Sequence, residues 1–223
     1  MRILLVGDDT YTVDRMKDSV DKDYVVDVAY NGEFASYLAQ TNDYSAIVIE
    51  SSTNSKNIDC VAVCKQVRES VDNTAIITIM DNDNENKIAS IEAGADVILT
   101  KPIDYSELTA YMRSMIGRYL KSDRGSTLSC SKLTLNIISK EVYRGSKKIK
   151  LRKKEFILLE YLMLNKGRVV TKEKLLENIW EAGVCVNSNT LEVHLRNLRK
   201  KIDDSYSKKV IKTIYGFGYK IDH

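Results

Sequence analysis

One pattern repeats five times in the first 120 residues: a short apolar run rich in β-branched residues, followed by an amphipathic stretch. The apolar runs are residues 2–6, 25–29, 46–49, 75–79 and 97–99, and the amphipathic stretches are residues 12–20, 33–40, 59–69, 84–93 and 105–120. Runs this short and this apolar are typical of parallel strands that are covered on both faces. Because β-α-β crossovers are right-handed, the repeat predicts a doubly wound, five-stranded parallel α/β sheet.

The carboxyl ends of the predicted strands carry a set of polar side chains. Ligands bind at this edge of a doubly wound sheet, which draws attention to Gly7, Asp8, Asp9, Glu50, Met80 and Lys101. Acid pairs after a first parallel strand also occur in Mg²⁺-dependent phosphohydrolases, so Asp8 and Asp9 admit an interpretation as an enzyme. That interpretation leaves the second half of the chain without a role, and we therefore do not expect an enzyme.

The second half of the chain has a different pattern. Residues 121–127 are polar, contain Gly and Ser and show no periodicity, which predicts a linker between one domain at 1–120 and another at 128–223. Residues 128–151 resemble short antiparallel strands. A helix is predicted over 153–164, ending near Gly167, and a second one begins at the N-cap Thr171 and closes at Trp180.

Residues 187–202 have the pattern of a helix with two contrasting faces. At about 100° per residue, Leu191, Leu195, Leu198 and Ile202 fall on one stripe, and Asn189, Val193, Arg196, Asn197 and Lys200 fall opposite. Ser188 or Asn189 is the predicted N-cap. The apolar stripe must be buried, whereas Arg, Lys and Asn can meet phosphates and base edges in a major groove. Many surface helices share this pattern, so the helix alone does not establish DNA binding.

Two alternating runs around a Gly-containing turn follow this helix. They span residues 208–221, carry several lysines, and predict a basic hairpin. A helix with a basic outer face followed by such a hairpin is the arrangement of a winged helix-turn-helix, an α+β fold that binds DNA.

The two halves of the chain carry opposite charge. Residues 1–121 contain 12 Lys and Arg against 20 Asp and Glu, a net charge of −8, whereas residues 122–223 contain 22 against 11, a net charge of +11. A basic domain is the electrostatic signature expected of nucleic-acid binding, since each neutralised phosphate releases a counterion. The acidic domain would be repelled by DNA and is expected to do something else.

Targeting and cysteine patterns point to an ordinary cytoplasmic protein. No basic-plus-apolar leader or apolar run of about 20 residues is present, so we expect no membrane partner. Cys60, Cys64, Cys130 and Cys185 lack the paired spacing of a metal site. Cys60 and Cys64 stand one helical turn apart and are expected to be buried as small apolar residues.

These residues carry a resemblance to a known family over nearly the whole chain. Residues 128–221 resemble the winged-helix domain of OmpR/PhoB-type response regulators through LRKKEFILL at 151–159, GRVVTKEKLL at 167–176, NTLEVHLRNLRKK at 189–201 and IKTIYGFGY at 211–219. Residues 1–120 resemble the family's flavodoxin-like receiver domain, most clearly at 93–96 and 99–102. The resemblance implies a sequence-specific transcription regulator that binds double-stranded promoter DNA, with RNA polymerase as a further candidate partner.

The receiver chemistry of the family is altered here. Receivers hold Mg²⁺ with two consecutive acids, accept phosphate from a histidine kinase on an Asp, and use a Thr or Ser, an aromatic residue and a Lys in signalling. The corresponding positions read Gly7, Asp8, Glu50, Met80, Ile98 and Lys101, so only Asp8 and Lys101 are retained. A missing oxygen ligand weakens an octahedral Mg²⁺ site, and Met80 donates no hydrogen bond to a phosphoryl oxygen.

The altered positions predict an atypical receiver that works without phosphorylation, cofactor or bound metal, and makes a histidine kinase partner doubtful. The Glu50 carboxylate reaches Lys101 and holds an active-like state, or it is a solvated acid in a decayed crevice. A conventional phosphorylation-gated regulator and a receiver that senses a small ligand in the crevice remain as alternatives.

The resemblance also implies a homodimer formed through the fourth helix, fifth strand and fifth helix. The family uses three ion pairs on this face, of which Lys87 with Glu107 and Asp96 with Arg118 are kept by position. Val97 and Tyr111 replace the third pair, and Glu92 belongs to the same face. An ionic contact has thus become apolar, which predicts a dimer with little salt sensitivity. The alternative is that these residues simply face solvent.

The resemblance assigns DNA contacts to individual residues. Arg196 and Asn197 are candidates for base contacts, Val193 for a thymine methyl, and Thr190, His194, Arg199, Lys200 and Thr213 for phosphates, with Asn189 on the same face. Asn197 stands where the family often has Arg. Because Asn pairs with adenine, we expect a half-site richer in A·T. Tyr215 replaces an Arg that commonly enters the minor groove, so the wing should bind differently.

Overall fold

The computed structural model describes residues 1–20, 22–51, 57–71, 74–123, 126–182, 184, 186–204 and 206–222. The chain divides into two compact units, Arg2–Leu120 and Lys121–His223.

The first unit is built on a five-stranded parallel sheet in the order β2-β1-β3-β4-β5. Its strands are β1 (Arg2–Val6), β2 (Val25–Ala29), β3 (Ala46–Glu50), β4 (Ala75–Met80) and β5 (Val97–Thr100). Every residue of β1, β3 and β4 is buried, as the uniformly apolar runs predict for strands in the middle of a covered sheet. The predicted α/β class is confirmed.

Five helices alternate with these strands in the described part of the first unit. They are α1 (Thr10–Val20), α2 (Gly32–Thr41), α3 (Cys60–Ser70), α4 (Asn84–Glu92) and α5 (Tyr105–Asp123). Asn31, Asp59 and Asp83 cap α2, α3 and α4 by accepting hydrogen bonds from backbone amides in the first turn. One core layer joins the inner faces of α2 and α3 to strand residues such as Leu4, Ile47 and Ile76.

A buried charged cluster ties the edge strand β2 to β1. The Arg2 guanidinium forms an ion pair with the Asp27 carboxylate, and Nη2 donates to Oδ1 at 3.1 Å. The Tyr44 hydroxyl donates to Asp27 Oδ2 at 2.7 Å. All three side chains are buried. The hydrogen bonds within the cluster therefore replace the bonds to water that each group loses on burial. Burial, and then the Asp27 charge, raise the pKa of Tyr44.

The second unit is a winged helix preceded by a small sheet. The antiparallel sheet contains β6 (Thr127–Cys130), β7 (Leu133–Asn136), β8 (Val142–Arg144) and β9 (Lys147–Lys148). The helices are α6 (Lys153–Leu164), α7 (Lys172–Ile179) and α8 (Ser188–Ile202), and the hairpin pairs β10 (Ile211–Ile214) with β11 (Gly218–Ile221). The predicted α+β winged helix-turn-helix is confirmed.

Two local expectations require correction. The predicted linker at 121–127 overlaps secondary structure at both ends, because α5 continues to Asp123 and β6 begins at Thr127, while residues 124 and 125 lie outside the described residues. The N-cap of α8 is Asn187, whose side chain accepts from the Asn189 amide at 3.1 Å, rather than Ser188 or Asn189. Asn187 is able to cap because its backbone is extended while the two following residues are already helical.

Cysteine and membrane expectations were examined on the described residues. Cys60, Cys64 and Cys130 are buried free thiols, and Cys185 lies outside the described residues. A hydrogen bond with Cys60, together with burial, raises the pKa of the Cys64 thiol, which keeps it unreactive. No helix in the described part of the chain is long and apolar enough to cross a membrane.

Candidate nucleic-acid interface and strand-end crevice

Helix α8 is anchored through its predicted apolar stripe. Leu191, Leu195, Leu198 and Ile202 are all fully buried, and the helix packs against α6 and α7. Glu155 of α6 accepts from Lys201 Nζ at 2.5 Å, which adds an ion pair beside this contact. The stripe therefore sets the rotation of α8 about its axis and turns Val193 and Arg196 outward.

A groove of about 1020 Å³ runs between the outer face of α8 and the β10–β11 hairpin. Its walls include seven residues predicted to contact DNA, namely Asn189, Val193, Arg196, Asn197, Arg199, Lys200 and Thr213. Glu192, Asp204 and Tyr219 also line it, and the sequence did not single them out. The Glu192 carboxylate binds Lys172 Nζ of α7 at 2.6 Å, so this acid is partly neutralised.

Arg199 connects the helix to the hairpin. Its Nη2 donates to Thr213 Oγ1 at 2.8 Å and to the Ile211 carbonyl at 3.2 Å, and its guanidinium lies 5.6 Å from the centre of the Tyr219 ring. Two residues predicted to contact phosphates thus bind each other. Since Thr213 Oγ1 accepts this bond, its hydroxyl hydrogen can still point to a phosphate oxygen. Arg199 thus bridges α8 and β10 at the groove.

Three predicted contacts do not line the groove: Thr190, His194 and Tyr215. The His194 ring lies 5.8 Å from the Trp180 ring, between α8 and the end of α7. Burial lowers the pKa of His194. The Glu155 charge opposes this with a smaller effect, and the charges of Lys154 and Arg152 add to the lowering of the pKa. His194 is therefore mostly neutral at pH 7, which weakens the case for a phosphate contact there.

The strand-end crevice of the first unit is centred on Glu50. This last residue of β3 is only 2% exposed, and its Oε1 forms an ion pair with Lys101 Nζ. Glu50 Oε2 is buried and has no hydrogen-bond partner among the described residues. The carboxylate is thus not solvated, in contrast to one of the two predicted alternatives.

Gly7 and Glu50 share one small space. A Cβ atom built on Gly7 would lie 2.7 Å from Val13 Cγ2 and 3.1 Å from Glu50 Oε2. Contacts this short require the neighbouring side chains to move. The longer side chain at position 50 and the absence of one at position 7 are therefore sterically linked.

The remaining crevice residues serve mainly local structure. Asp9 accepts hydrogen bonds from the Thr12 hydroxyl and from the Thr12 amide, the latter at 2.9 Å, and the hydroxyl contact holds the pKa of this exposed acid below its usual range. Met80 is buried at the end of β4, and Ile98 packs against the core layer of α2 and α3. Asp8 is half-buried. Across the described residues, no group of three or more His, Cys, Asp or Glu side chains is arranged to hold a metal ion.

On the face of α4, β5 and α5, residues of the predicted intermolecular ion pairs also make contacts within their own chain. Asp96 Oδ2 accepts from Arg68 Nη2 at 2.9 Å and from the Ile76 amide at 2.8 Å, and Oδ1 accepts from the Tyr119 hydroxyl at 2.8 Å. Asp96 is thus engaged inside its own domain. Lys87 Nζ donates to Asn82 Oδ1 at 2.6 Å, and Glu92, Glu107 and Arg118 are exposed.

Sequence reasoning expected an apolar contact at Val97 and Tyr111 on this face but did not single out the isoleucines of α4. Ile88 and Ile91 of α4 are 59% and 60% exposed, and Tyr111 of α5 is 41% exposed. Val97, the first residue of β5, is half-buried. Among the nine residues of α4 only Ser90 is buried, so neither isoleucine enters the core.

A doubly wound parallel domain joined to a winged helix with a basic groove defines a two-domain transcription regulator. Residues 3–113 match the family model for the response regulator receiver domain, and residues 146–221 match the model for the C-terminal domain of transcriptional regulatory proteins. Response regulator MprA of Mycobacterium avium (strain 104) is 33% identical and covers 98% of this chain and 97% of its own length. The chain belongs to the OmpR/PhoB-type response regulators, which are DNA-binding transcription regulators rather than enzymes.

The chain is also similar to solved structures. The response regulator DrrB of Thermotoga maritima, an OmpR/PhoB homologue, is 28% identical and covers 100% of this chain and 99% of its own, with a TM-score of 0.45. A CheY-like receiver domain protein of Methanospirillum hungatei JF-1 is 20% identical and covers 54% of this chain and 97% of its own, with a TM-score of 0.51. The second likeness concerns the fold alone.

Proposed function

We propose that this response regulator is an atypical one, which binds promoter DNA as a homodimer without phosphorylation of its receiver domain. The observation that carries the proposal is the ion pair between the buried Glu50 carboxylate and Lys101. Glu50 stands at the phosphoacceptor position of the family. Its carboxylate gives Lys101 the negative partner that an acyl phosphate would otherwise supply.

The burial of Glu50 supports a fixed rather than a switched state. A carboxylate that is 2% exposed depends on Lys101 for charge compensation, so separating the pair leaves an unpaired buried charge. Attack on a phosphodonor needs the carboxylate to be positioned in line with it and supported by a metal ion. Glu50 Oε1 is instead held by Lys101.

Gly7 supports the same conclusion from the metal side. Mg²⁺ requires near-octahedral oxygen ligands, and Gly7 contributes no side-chain oxygen where the family has an acid. An acid at position 7 would collide with Val13 and crowd Glu50 Oε2. The residues present do not fit a receiver-type Mg²⁺ site, and a histidine kinase is not required.

The proposed dimer uses the face of α4, β5 and α5. Exposed Ile88, Ile91 and Tyr111 provide an apolar centre, and Lys87 and Glu107 can still pair across a two-fold axis. Asp96 contributes little, because Arg68 and Tyr119 already bind it. Such a dimer would present two α8 helices to two adjacent half-sites.

DNA reading is assigned to the groove face of α8. Arg196 and Asn197 face base edges, Val193 faces a thymine methyl, and Lys200 and Thr213 face phosphates. Arg199 positions the hairpin through its bonds to Thr213 and Ile211. The Tyr219 ring, which forms part of the groove wall, lies against the Arg199 guanidinium.

The proposal is tested by adding a small-molecule phosphodonor and Mg²⁺ to a DNA-binding assay of the full chain. The duplex is one enriched from a random library by the same protein. The native binding curve should not change. A matched variant with Gly7→Asp, Glu50→Asp and Met80→Thr restores family residues at three positions and serves as the responsive comparison. Tightening of the native curve by more than about threefold would revive the conventional phosphorylation-gated regulator.

A further inference from the structure

A cavity of about 160 Å³ lies between α3 and α4 of the first unit, beside the carboxyl ends of β3 and β4. Its described walls come from the start of α3, the loop that follows β4 and one side of α4, and they do not include Glu50 or Lys101. An engineered protein cavity of about 150 Å³ is large enough to bind benzene. The space therefore fits a small organic molecule of about six non-hydrogen atoms.

The hydroxyl of Ser90 lines this cavity without a hydrogen bond. Ser90 is 0% exposed, and its Oγ has no hydrogen-bond partner among the described residues. A serine inside a helix commonly donates to the carbonyl oxygen one turn earlier, but Ser90 does not. Since a buried hydroxyl without a partner is unfavourable, a polar atom of a ligand in the cavity is the partner that the position of Ser90 allows.

The deep part of the cavity is otherwise apolar. Ile58 and Met80 are buried, and Val61 in the first turn of α3 is half-buried. Such side chains cover the hydrocarbon part of a ligand, whereas a few polar groups fix its orientation.

Three aspartates give the cavity a negative charge. Asp59 precedes α3, and Asp81 and Asp83 lie in the loop before α4, while the described lining residues include no Lys or Arg. The N-termini of α3 and α4 contribute only about half a positive charge each, which three carboxylates outweigh. A cationic group is therefore favoured over an anionic one.

The arrangement of these acids suits an organic cation rather than a metal ion. Asp59 Oδ1 accepts from the Ala62 amide at 3.1 Å, and Asp83 accepts from the Glu85 amide at 3.0 Å and from Asn86 Nδ2 at 2.8 Å. Each carboxylate is thus held at the start of its own helix. Within the described ranges, no three His, Cys, Asp or Glu side chains come together as metal ligands. Carboxylate oxygens with one accepted bond can still accept another from an ammonium group.

We propose that this cavity binds a small amino alcohol in its ammonium form. Asp83 and Ser90 are seven residues apart, which is about 10 Å along α4, so a short chain with a polar group at each end spans them. The ammonium group binds at Asp83 beside Asp81, the chain lies on Ile58 and Met80, and the hydroxyl meets Ser90 Oγ.

The site lies within one receiver domain and does not depend on the proposed dimer. It does share a helix with the proposed interface, because Ser90 lines the cavity while Ile88 and Ile91 on α4 are exposed. Binding should therefore be equal in the native chain and in Ile88→Ser with Ile91→Ser. This comparison separates a failure of the dimer from a failure of the site.

The test titrates the full chain with four matched probes in amine-free phosphate buffer, followed by calorimetry. 4-Amino-1-butanol should bind with a Kd of about 1 mM or tighter, which is within the limit for six non-hydrogen atoms. 1,4-Butanediol, which lacks the charge, and 4-hydroxybutyrate, which reverses it, should bind at least about tenfold more weakly. n-Butylamine, which lacks the hydroxyl, should bind about fivefold more weakly than the amino alcohol.

Three variants locate the bound probe. Ser90→Ala should weaken 4-amino-1-butanol about fivefold and leave n-butylamine within about twofold of native, because only the first probe reaches the hydroxyl. Asp83→Asn keeps the helix cap but removes a charge, and should weaken both amines about fivefold. Glu85→Gln, at an exposed position of α4 outside the cavity, is the matched control and should bind like the native chain.

Two results would overturn the site. The first is equal affinity for 4-amino-1-butanol, 1,4-butanediol and 4-hydroxybutyrate, or no binding of any probe up to about 10 mM, roughly ten times the expected Kd. The second is selective binding of the amines that neither Ser90→Ala nor Asp83→Asn changes, since the probe would then bind elsewhere on the chain.

Discussion

Lys101 Nζ forms an ion pair with Glu50 Oε1, while Glu50 Oε2 remains buried without a hydrogen-bond partner among the described residues. The Lys101 ammonium group is thus the main charge that compensates the Glu50 carboxylate, which is buried away from water. Under the proposed function, this ion pair occupies the place where a phosphorylated receiver would carry its covalent modification.

The strength of this pair is measurable in a double-mutant cycle. Lys101→Ala should destabilise the chain by about 2–4 kcal/mol, because it leaves a buried carboxylate unpaired, and Glu50→Gln in the same background should recover part of that loss. Urea unfolding of the four proteins gives the coupling free energy. A coupling below about 0.3 kcal/mol would mean that the two groups do not depend on each other.

The steric link between positions 7 and 50 predicts a context-dependent substitution. Gly7→Asp should lower the free energy of unfolding by about 1–3 kcal/mol, since its Cβ meets Val13 at 2.7 Å and crowds Glu50. In a Glu50→Asp background the cost should be smaller. Ala62→Asp, the same side chain on an exposed position of α3, is the control and should stay within about 0.5 kcal/mol of native. An equal loss of unfolding free energy in both backgrounds would show that positions 7 and 50 are not sterically linked.

The buried Tyr44 predicts a pH dependence at the alkaline end. Burial and the Asp27 charge raise the pKa of Tyr44 above its ordinary value near 10. A group with a raised pKa in the folded state contributes stability that is fully present below the unfolded pKa and is lost as pH rises through the folded one. The stability advantage of the native chain over Tyr44→Phe should therefore shrink above about pH 10. An advantage that is constant from pH 8 to 11 would contradict the assignment.

The apolar centre of the α4-β5-α5 face predicts a salt-resistant dimer. Sedimentation of the full chain at micromolar concentration should show a dimer at both low and high salt. Ile88→Ser combined with Ile91→Ser should produce monomers, whereas Phe34→Ser, at an exposed position of α2, should leave the dimer intact. A native chain that sediments as a monomer at low salt would rule out this face as a constitutive interface.

Asn197 and Lys200 should affect DNA binding in different ways. Asn197→Ala should cost about 1–3 kcal/mol and relax the preference at one base pair, whereas Lys200→Ala should weaken all sequences alike and reduce the salt slope by about one. A panel of duplexes with single base-pair changes, measured at several salt concentrations, separates the two effects. Uniform weakening by Asn197→Ala would reassign that residue to a phosphate.

Much of the fold followed from short-range patterns. The apolar runs placed all five parallel strands to within one residue at each end, because buried parallel strands are uniformly apolar. The predicted range 153–164 matches α6, and Thr171 and Trp180 correctly marked the two ends of α7. Residues 121–123 were predicted to belong to a linker because they are polar, but α5 continues through them. A polar segment can stay helical.

The site was less accessible from sequence because its key contacts are long-range. Gly7 and Glu50 share a space although 42 residues separate them, and Arg199 binds Thr213 across the turn between helix and hairpin. The family resemblance identified these positions but not their contacts. The resemblance assigned His194 to a phosphate, yet its ring lies beside that of Trp180. Exposure of Ile88 and Ile91 likewise depends on what the rest of the fold leaves uncovered.

The most direct test of the account is the DNA affinity of Glu50→Gln in the full chain, measured without phosphodonor alongside sedimentation at the same concentration. If the Glu50–Lys101 ion pair holds the receiver in its DNA-binding dimer, removing the charge should weaken binding at least about fivefold and shift the protein toward monomer, in the range of ordinary coupling between sites. Native affinity and a native dimer in Glu50→Gln would contradict the account.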